Sequence, residues 1–217
     1  MNRRTIVIGI AGLAALAFAG GAFFLPKLSA SDGPAEDILI RDHSPTMGPV
    51  NAPVTIVEFL DPSCEACRAF YPIVKQIMAT APDRIRLVIR YAPLHEGSDE
   101  VVRILEAARV QDKFQPVLEK LFAEQDSWAM HGAPDLNKAW ALAGEAGLDL
   151  DRARKDAVAA AVDAVLEQDL ADVRAIELQA TPTFFVNGKP LPSFGPQQLY
   201  ELVVAELAVA EIPTGTR

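Results

Sequence analysis

The chain has 217 residues, 50% of them hydrophobic, and a formal net charge of −9. That is enough for one domain with its own core, and the acidic balance excludes nucleic-acid binding through charge. Two cysteines exclude a fold stapled by disulfides, and with only His43, His95 and His131 spread along the chain there is no four-ligand zinc spacing, so no metal is expected.

The first element is terminal and apolar. Arg3 and Arg4 precede an uncharged run from Ile6 to Leu25, long enough for an export signal or a membrane anchor. Residues 1–30 are read as that segment, with the remainder facing the periplasm or the cell exterior. Residues 1–30 contain Arg3, Arg4 and Lys27 and no acid, so the remainder carries −12. Residues 31–45 read as a linker, in which only Ile38-Leu39-Ile40 has strand character, and one domain is expected over 46–212. Between Leu25 and Val54 there is too little chain for a separate dimerisation domain, which needs about 40 residues, so a monomer is expected.

Val54 to Leu60 is β-branched and nearly all apolar, the pattern of a strand covered on both faces. Asp61-Pro62-Ser63 is turn chemistry. A helix is expected from about Cys64 to Thr80, with Pro72 inside it, and Ile85 to Tyr91 reads as a second strand. Strand, helix and strand with short connections imply a right-handed βαβ unit. The stretch 98–179 is helical throughout, with Ser98, Asp135 and Asp149 as candidate N-caps and breaks near Asp112, Gly132-Ala133-Pro134 and Gly147. Thr183 to Val186 reads as a strand, Asn187-Gly188 as a hairpin turn, and 196–210 as a closing helix with proline in its first turn. The expected class is therefore α/β: a thioredoxin fold with a helical insertion between the βαβ unit and the C-terminal β-hairpin and helix.

Both cysteines, Cys64 and Cys67, lie in "VEFLDPSCEACRAFYP". A loop this short contributes little as a structural disulfide. At a helix start the backbone N–H groups and the dipole favour a Cys64 thiolate, the attacking species in disulfide exchange. Cys67, one turn further in, can resolve the mixed disulfide. Arg68, within helical reach of Cys64, favours the thiolate, and Glu65 opposes it. Glu58 places a carboxylate in the middle of an apolar strand, which is costly without a task or a partner. His95 reads as a loop or capping residue.

"APVTIVEFLDPSCEACRAFYP", the later "ATPTFFVNGKPL" and the helical block between them resemble the DsbA-like branch of the thioredoxin superfamily. The resemblance implies a thiol–disulfide oxidoreductase that needs no cofactor. Its partners would be cysteine-containing exported proteins and a membrane redox protein that resets the pair. It implies a cis bond at Thr181-Pro182, with that segment binding an extended substrate strand, and a role for Glu58 in handling the proton of Cys67. The dipeptide Glu65-Ala66 departs from the Pro-His of strongly oxidising relatives, so Glu65, Ala66 and Arg68 are expected to tune the potential. The alternative enzyme is an isomerase or reductase resembling the DsbC/DsbG or copper-sensitivity-suppressor types; a metal-binding module is the alternative outside enzymes.

Overall fold

The structure, a computed structural model, describes residues 34–211. The expected N-terminal signal or anchor lies outside the described residues, and among these no helix is long and apolar enough to cross a membrane.

The sheet has five strands in the order β1-β3-β2-β4-β5. They are β1 (Thr46–Met47), β2 (Val54–Leu60), β3 (Ile85–Tyr91), β4 (Thr183–Val186) and β5 (Lys189–Pro190). β2 and β3 are parallel, from Val54 beside Ile85 to Leu60 beside Tyr91. The other pairs, β1 with β3, β2 with β4 and β4 with β5, are antiparallel. The crossover from β2 to β3 is helix α2 (Glu65–Thr80), which follows α1 (Glu36–Leu39) in the chain. All seven residues of β2 are buried, as its unbroken apolar run requires for a central strand covered on both faces.

The helical insertion is present as α3 (Ser98–Val110), α4 (Phe114–Ala123), α5 (Leu136–Glu145), α6 (Leu150–Asp156) and α7 (Ala160–Ala175), and α8 (Pro196–Val209) closes the fold. Ile56 and Leu60 share the larger core with Phe70 and Val74 of α2, Leu199 and Val203 of α8, and the insertion. Val57, Phe59 and Phe185 face the other way and meet Leu39 and Val173.

Local signals account for many boundaries. Asp135 and Asp149 cap α5 and α6 by accepting from the Lys138 and Arg152 amides. Asn187 and Gly188 take φ of 47° and 80°, the paired left-handed geometry of a tight hairpin turn. Two expectations are corrected. Ile38–Ile40 forms no strand: α1 ends at Leu39, which is buried, while Arg41 and His43 pair with Asp172 and Asp169 of α7. Ser98 does not cap α3. It is the first helical residue, and its hydroxyl is bonded to Asp61 and Ser63 instead.

Candidate active site

β2 delivers the chain to a turn in which the Cys64 amide donates to the Asp61 carbonyl at 3.1 Å. Cys64 is the N-cap residue of α2, and its own carbonyl accepts from the Arg68 amide. Its sulfur therefore stands at the helix end where the first-turn amides have no partner within the helix. Both cysteines are free thiols. Cys64 is 6% exposed and Cys67 is fully buried.

Burial and neighbours push the two thiols apart. A hydrogen bond from the Cys67 thiol is the largest influence lowering Cys64, whose pKa falls to about 5. Bonds from Thr181 and from the Cys67 and Ala66 amides add to it and outweigh the cost of burial. Cys67 is pushed far up, first by burial and then by its role as donor to Cys64 and by the charge of Glu58. The Asp61 amide, 3.5 Å from the Cys67 sulfur, opposes this. The first cysteine is thus the thiolate and the second the stored thiol.

Thr181 and Pro182, 117 residues beyond Cys64 in sequence, arrive just ahead of β4. Their peptide bond is cis, as the resemblance implied. The Cys64 sulfur lies 3.3 Å from the Thr181 carbonyl oxygen, to which its protonated form can donate. Glu58, between Ile89 and Phe184 in the sheet register, is fully buried. Neither carboxylate oxygen has a hydrogen-bond partner among the described residues. Burial, and then the charge of Cys64, raises its pKa to about 8.

The remaining tuning residues lie at the rim. Ala66 is half-buried against the core. The Arg68 guanidinium is bonded to Asp126 at 2.6 Å. Glu65 is exposed, with its carboxylate 3.5 Å from His131 Nδ1. Sequence reasoning missed a polar cluster under the loop. The buried Asp61 carboxylate accepts from the Ser63, Leu94 and His95 amides, from the Ser98 hydroxyl at 2.6 Å and from His95 Nδ1 at 2.7 Å. Burial works against a charged His95, but Asp61 outweighs it, Cys64 and Glu65 add to it, and the imidazole pKa is raised. Gln125, also buried, donates to the carbonyls of Pro62 and Cys64 and ties this loop to the insertion. The one signal in the sequence was an acid in turn chemistry next to a buried strand; apart from Ser63, its partners lie over thirty residues away.

The arrangement can be set beside known proteins. The profile of the thioredoxin family matches residues 41–203. A thioredoxin-like oxidoreductase from Silicibacter pomeroyi is 30% identical, with a TM-score of 0.70 over 81% of this chain and 99% of that one. BdbD from Bacillus subtilis shares the fold, with a TM-score of 0.68 at 24% identity over 82% of this chain and 97% of that one. Among curated proteins, a Na(+)/H(+) antiporter NhaA of Herminiimonas arsenicoxydans is 35% identical over 144 residues, 66% of this chain. The chain spans only 22% of that relative's length.

Proposed function

The chain belongs to the thioredoxin family, and from that premise we propose that it is an exported thiol–disulfide oxidoreductase acting through Cys64 and Cys67. The observation that carries this reading is the asymmetry of the pair: a thiolate at the start of α2 and a buried thiol one turn behind it.

The Cys64 thiolate attacks a substrate disulfide. A sulfur–sulfur bond forms between Cys64 and one substrate sulfur, and the other substrate sulfur leaves as a thiolate and takes a proton. Cys67 then gives up its proton and attacks Cys64. The Cys64–Cys67 bond forms, the second substrate sulfur is expelled, and two electrons have passed to the substrate. Run in reverse, the same steps oxidise a substrate dithiol. Glu58, in its ionised form, takes the Cys67 proton: it is a buried carboxyl with no hydrogen-bond partner among the described residues and a pKa raised to about 8, suited to proton exchange near neutral pH. The Thr181 backbone beside Cys64 lines the path of an extended substrate strand. Cysteine-containing exported proteins are the substrates, and a membrane redox protein resets the pair.

The test separates the two cysteines. Cys64→Ser should abolish exchange with a disulfide substrate. Cys67→Ser should accumulate mixed disulfides, seen as higher-mass bands on non-reducing gels, because attack survives and resolution does not. Equal trapping by both variants would overturn the assignment.

A further inference from the structure

His95 and His131 are 36 positions apart in sequence, yet their ring centroids lie 5.8 Å apart, inclined at 53°. Glu65 completes a trio: one ligand atom from each of the three side chains lies within 4.8 Å of those of the other two. We propose that Glu65, His95 and His131 form a binding site for a divalent transition metal of the zinc class at the mouth of the dithiol.

The donor set is two imidazole nitrogens and one carboxylate oxygen. That combination suits zinc, with ligands at about 2.0–2.2 Å and the fourth tetrahedral position open. It is too rich in nitrogen for magnesium or calcium. Glu65 and His131 are exposed, with side chains 50% and 70% accessible, so they are free to close on an ion by changing rotamer.

The support behind the trio is the independent observation. A metal-binding histidine commonly gives its second ring nitrogen to a carboxylate, which fixes the ring. His95 does so: Nδ1 is bonded to Asp61 at 2.7 Å, leaving Nε2 as its ligand atom. Asp61 is itself buried and held by Ser63, Ser98 and two backbone amides of the Leu94–His95 segment. Such anchoring is far more than an exposed ion pair between His131 and Glu65 requires. A narrow cleft of about 40 Å³ is lined by Ser63, His95, Met130 and His131. Cys64 directly precedes Glu65, so a bound ion lies beside the nucleophile and holds back its attack on substrate. That consequence rests on the thiol-exchange reading; the binding itself does not.

A dithiol binds zinc unaided, so the test removes the sulfurs. The full chain without a histidine tag, as Cys64→Ser/Cys67→Ser, is titrated with Zn²⁺ by calorimetry and with Co²⁺ by visible absorption. The oxidised wild type, whose sulfurs are tied to each other, gives the same comparison without substitution. The expected result is one ion per chain, the intense bands of tetrahedral cobalt, and no response to Mg²⁺. His131→Ala and Glu65→Gln, each added to the thiol-free protein, should weaken Zn²⁺ at least ten-fold. Thiol-free and oxidised proteins that bind Zn²⁺ no better than their His131→Ala forms would overturn the site. With intact thiols, Zn²⁺ should suppress exchange and a chelator restore it, while His131→Ala keeps the metal-free rate and needs at least ten-fold more Zn²⁺. Metal-free wild type with no exchange would count against the thiol reading alone, because the cobalt bands still decide the site.

Discussion

Cys64 caps α2 and Cys67 lies in its first turn, yet their surroundings drive them to opposite protonation states. The largest influence on Cys64 is the Cys67 thiol itself. A hydrogen bond to a charged group contributes about 1.5–3 kcal/mol, or roughly one to two pKa units. In reduced wild type, thiolate absorbance should fall with a midpoint near pH 5, and Cys67→Ala should move it up by about one to two units. An unmoved midpoint would assign the thiolate to the helix terminus alone. Glu58 makes a second measurement possible. Its pKa is 4.5 when solvated and about 8 in the fold. Its raised folded pKa means that its contribution to stability is fully present below pH 4.5 and lost as pH rises toward 8. Glu58→Gln removes that slope. Relative to wild type it should gain stability from pH 4.5 upward, on the order of 3 kcal/mol by pH 7, and level off above pH 8. The lost hydrogen-bonding of the amide adds only a constant offset, so denaturation midpoints that track wild type in parallel from pH 5 to 8 would refute a buried, proton-holding Glu58.

At the scale of elements, two glycines with left-handed φ separate backbone strain from crowding. Gly188, at φ 80°, has nothing within 4 Å of where a Cβ would stand. Gly48, at φ 94°, would place a Cβ 2.6 Å from the Ile85 carbonyl at the start of β3. Gly188→Ala should cost about 1 kcal/mol, the ordinary left-handed penalty. Gly48→Ala adds a backbone clash that no rotamer relieves, and should cost about 2–4 kcal/mol; urea denaturation of the two variants compares them directly. Features that depend on near neighbours are legible in the amino-acid order itself. The apolar run of β2, the Asp135 and Asp149 caps and the Asn187-Gly188 turn all follow from chemistry a few residues wide. So does Cys64 at the head of α2. Features that depend on distant contacts are not legible there. Ser98 has the chemistry of a cap, but Asp61, 37 positions earlier, takes its hydroxyl. Ile38-Leu39-Ile40 has strand propensity, but the Ile40 amide closes a helical turn onto the Glu36 carbonyl. His95 carries no signal in its own neighbourhood because its meaning comes from Asp61 beneath it, in the turn after β2, and His131 across from it, in the insertion.

Across the whole molecule, the insertion has to be coupled to the sheet for the dithiol site to hold its shape, and a buried charge network provides one such coupling. Arg90 of β3 is fully buried. It donates to Asp169 at 2.7 Å and Asp172 at 2.6 Å on α7, and to the Ile38 carbonyl of α1. Asp169 also accepts from the Tyr91 amide at 2.7 Å and meets His43 at 2.6 Å; Arg41 binds Asp172. Sheet, insertion and N-terminal segment therefore converge on one guanidinium. Its planar, multi-donor geometry cannot be supplied by an apolar side chain. Removing it leaves two carboxylates, neither more than 5% exposed, without the one fully buried cation they share, and such a break costs about 3–5 kcal/mol. Arg90→Leu should lose that much in urea denaturation. Replacing all three charges together, as Arg90→Leu/Asp169→Leu/Asp172→Leu, should cost less than the sum of the single losses, since no fully buried charge is left orphaned and Arg41 and His43, both partly exposed, can turn to solvent. The coupling has its own readout. Trp128 and Trp140 are buried on the insertion side, and Cys67 is buried against the sheet. In a Cys64→Ser background, tryptophan fluorescence and Cys67 alkylation should report one coincident unfolding transition. With Arg90→Leu added, the fluorescence change should come at lower urea than the exposure of Cys67. Coincident transitions in the Arg90→Leu protein would mean that apolar packing alone holds the insertion to the sheet.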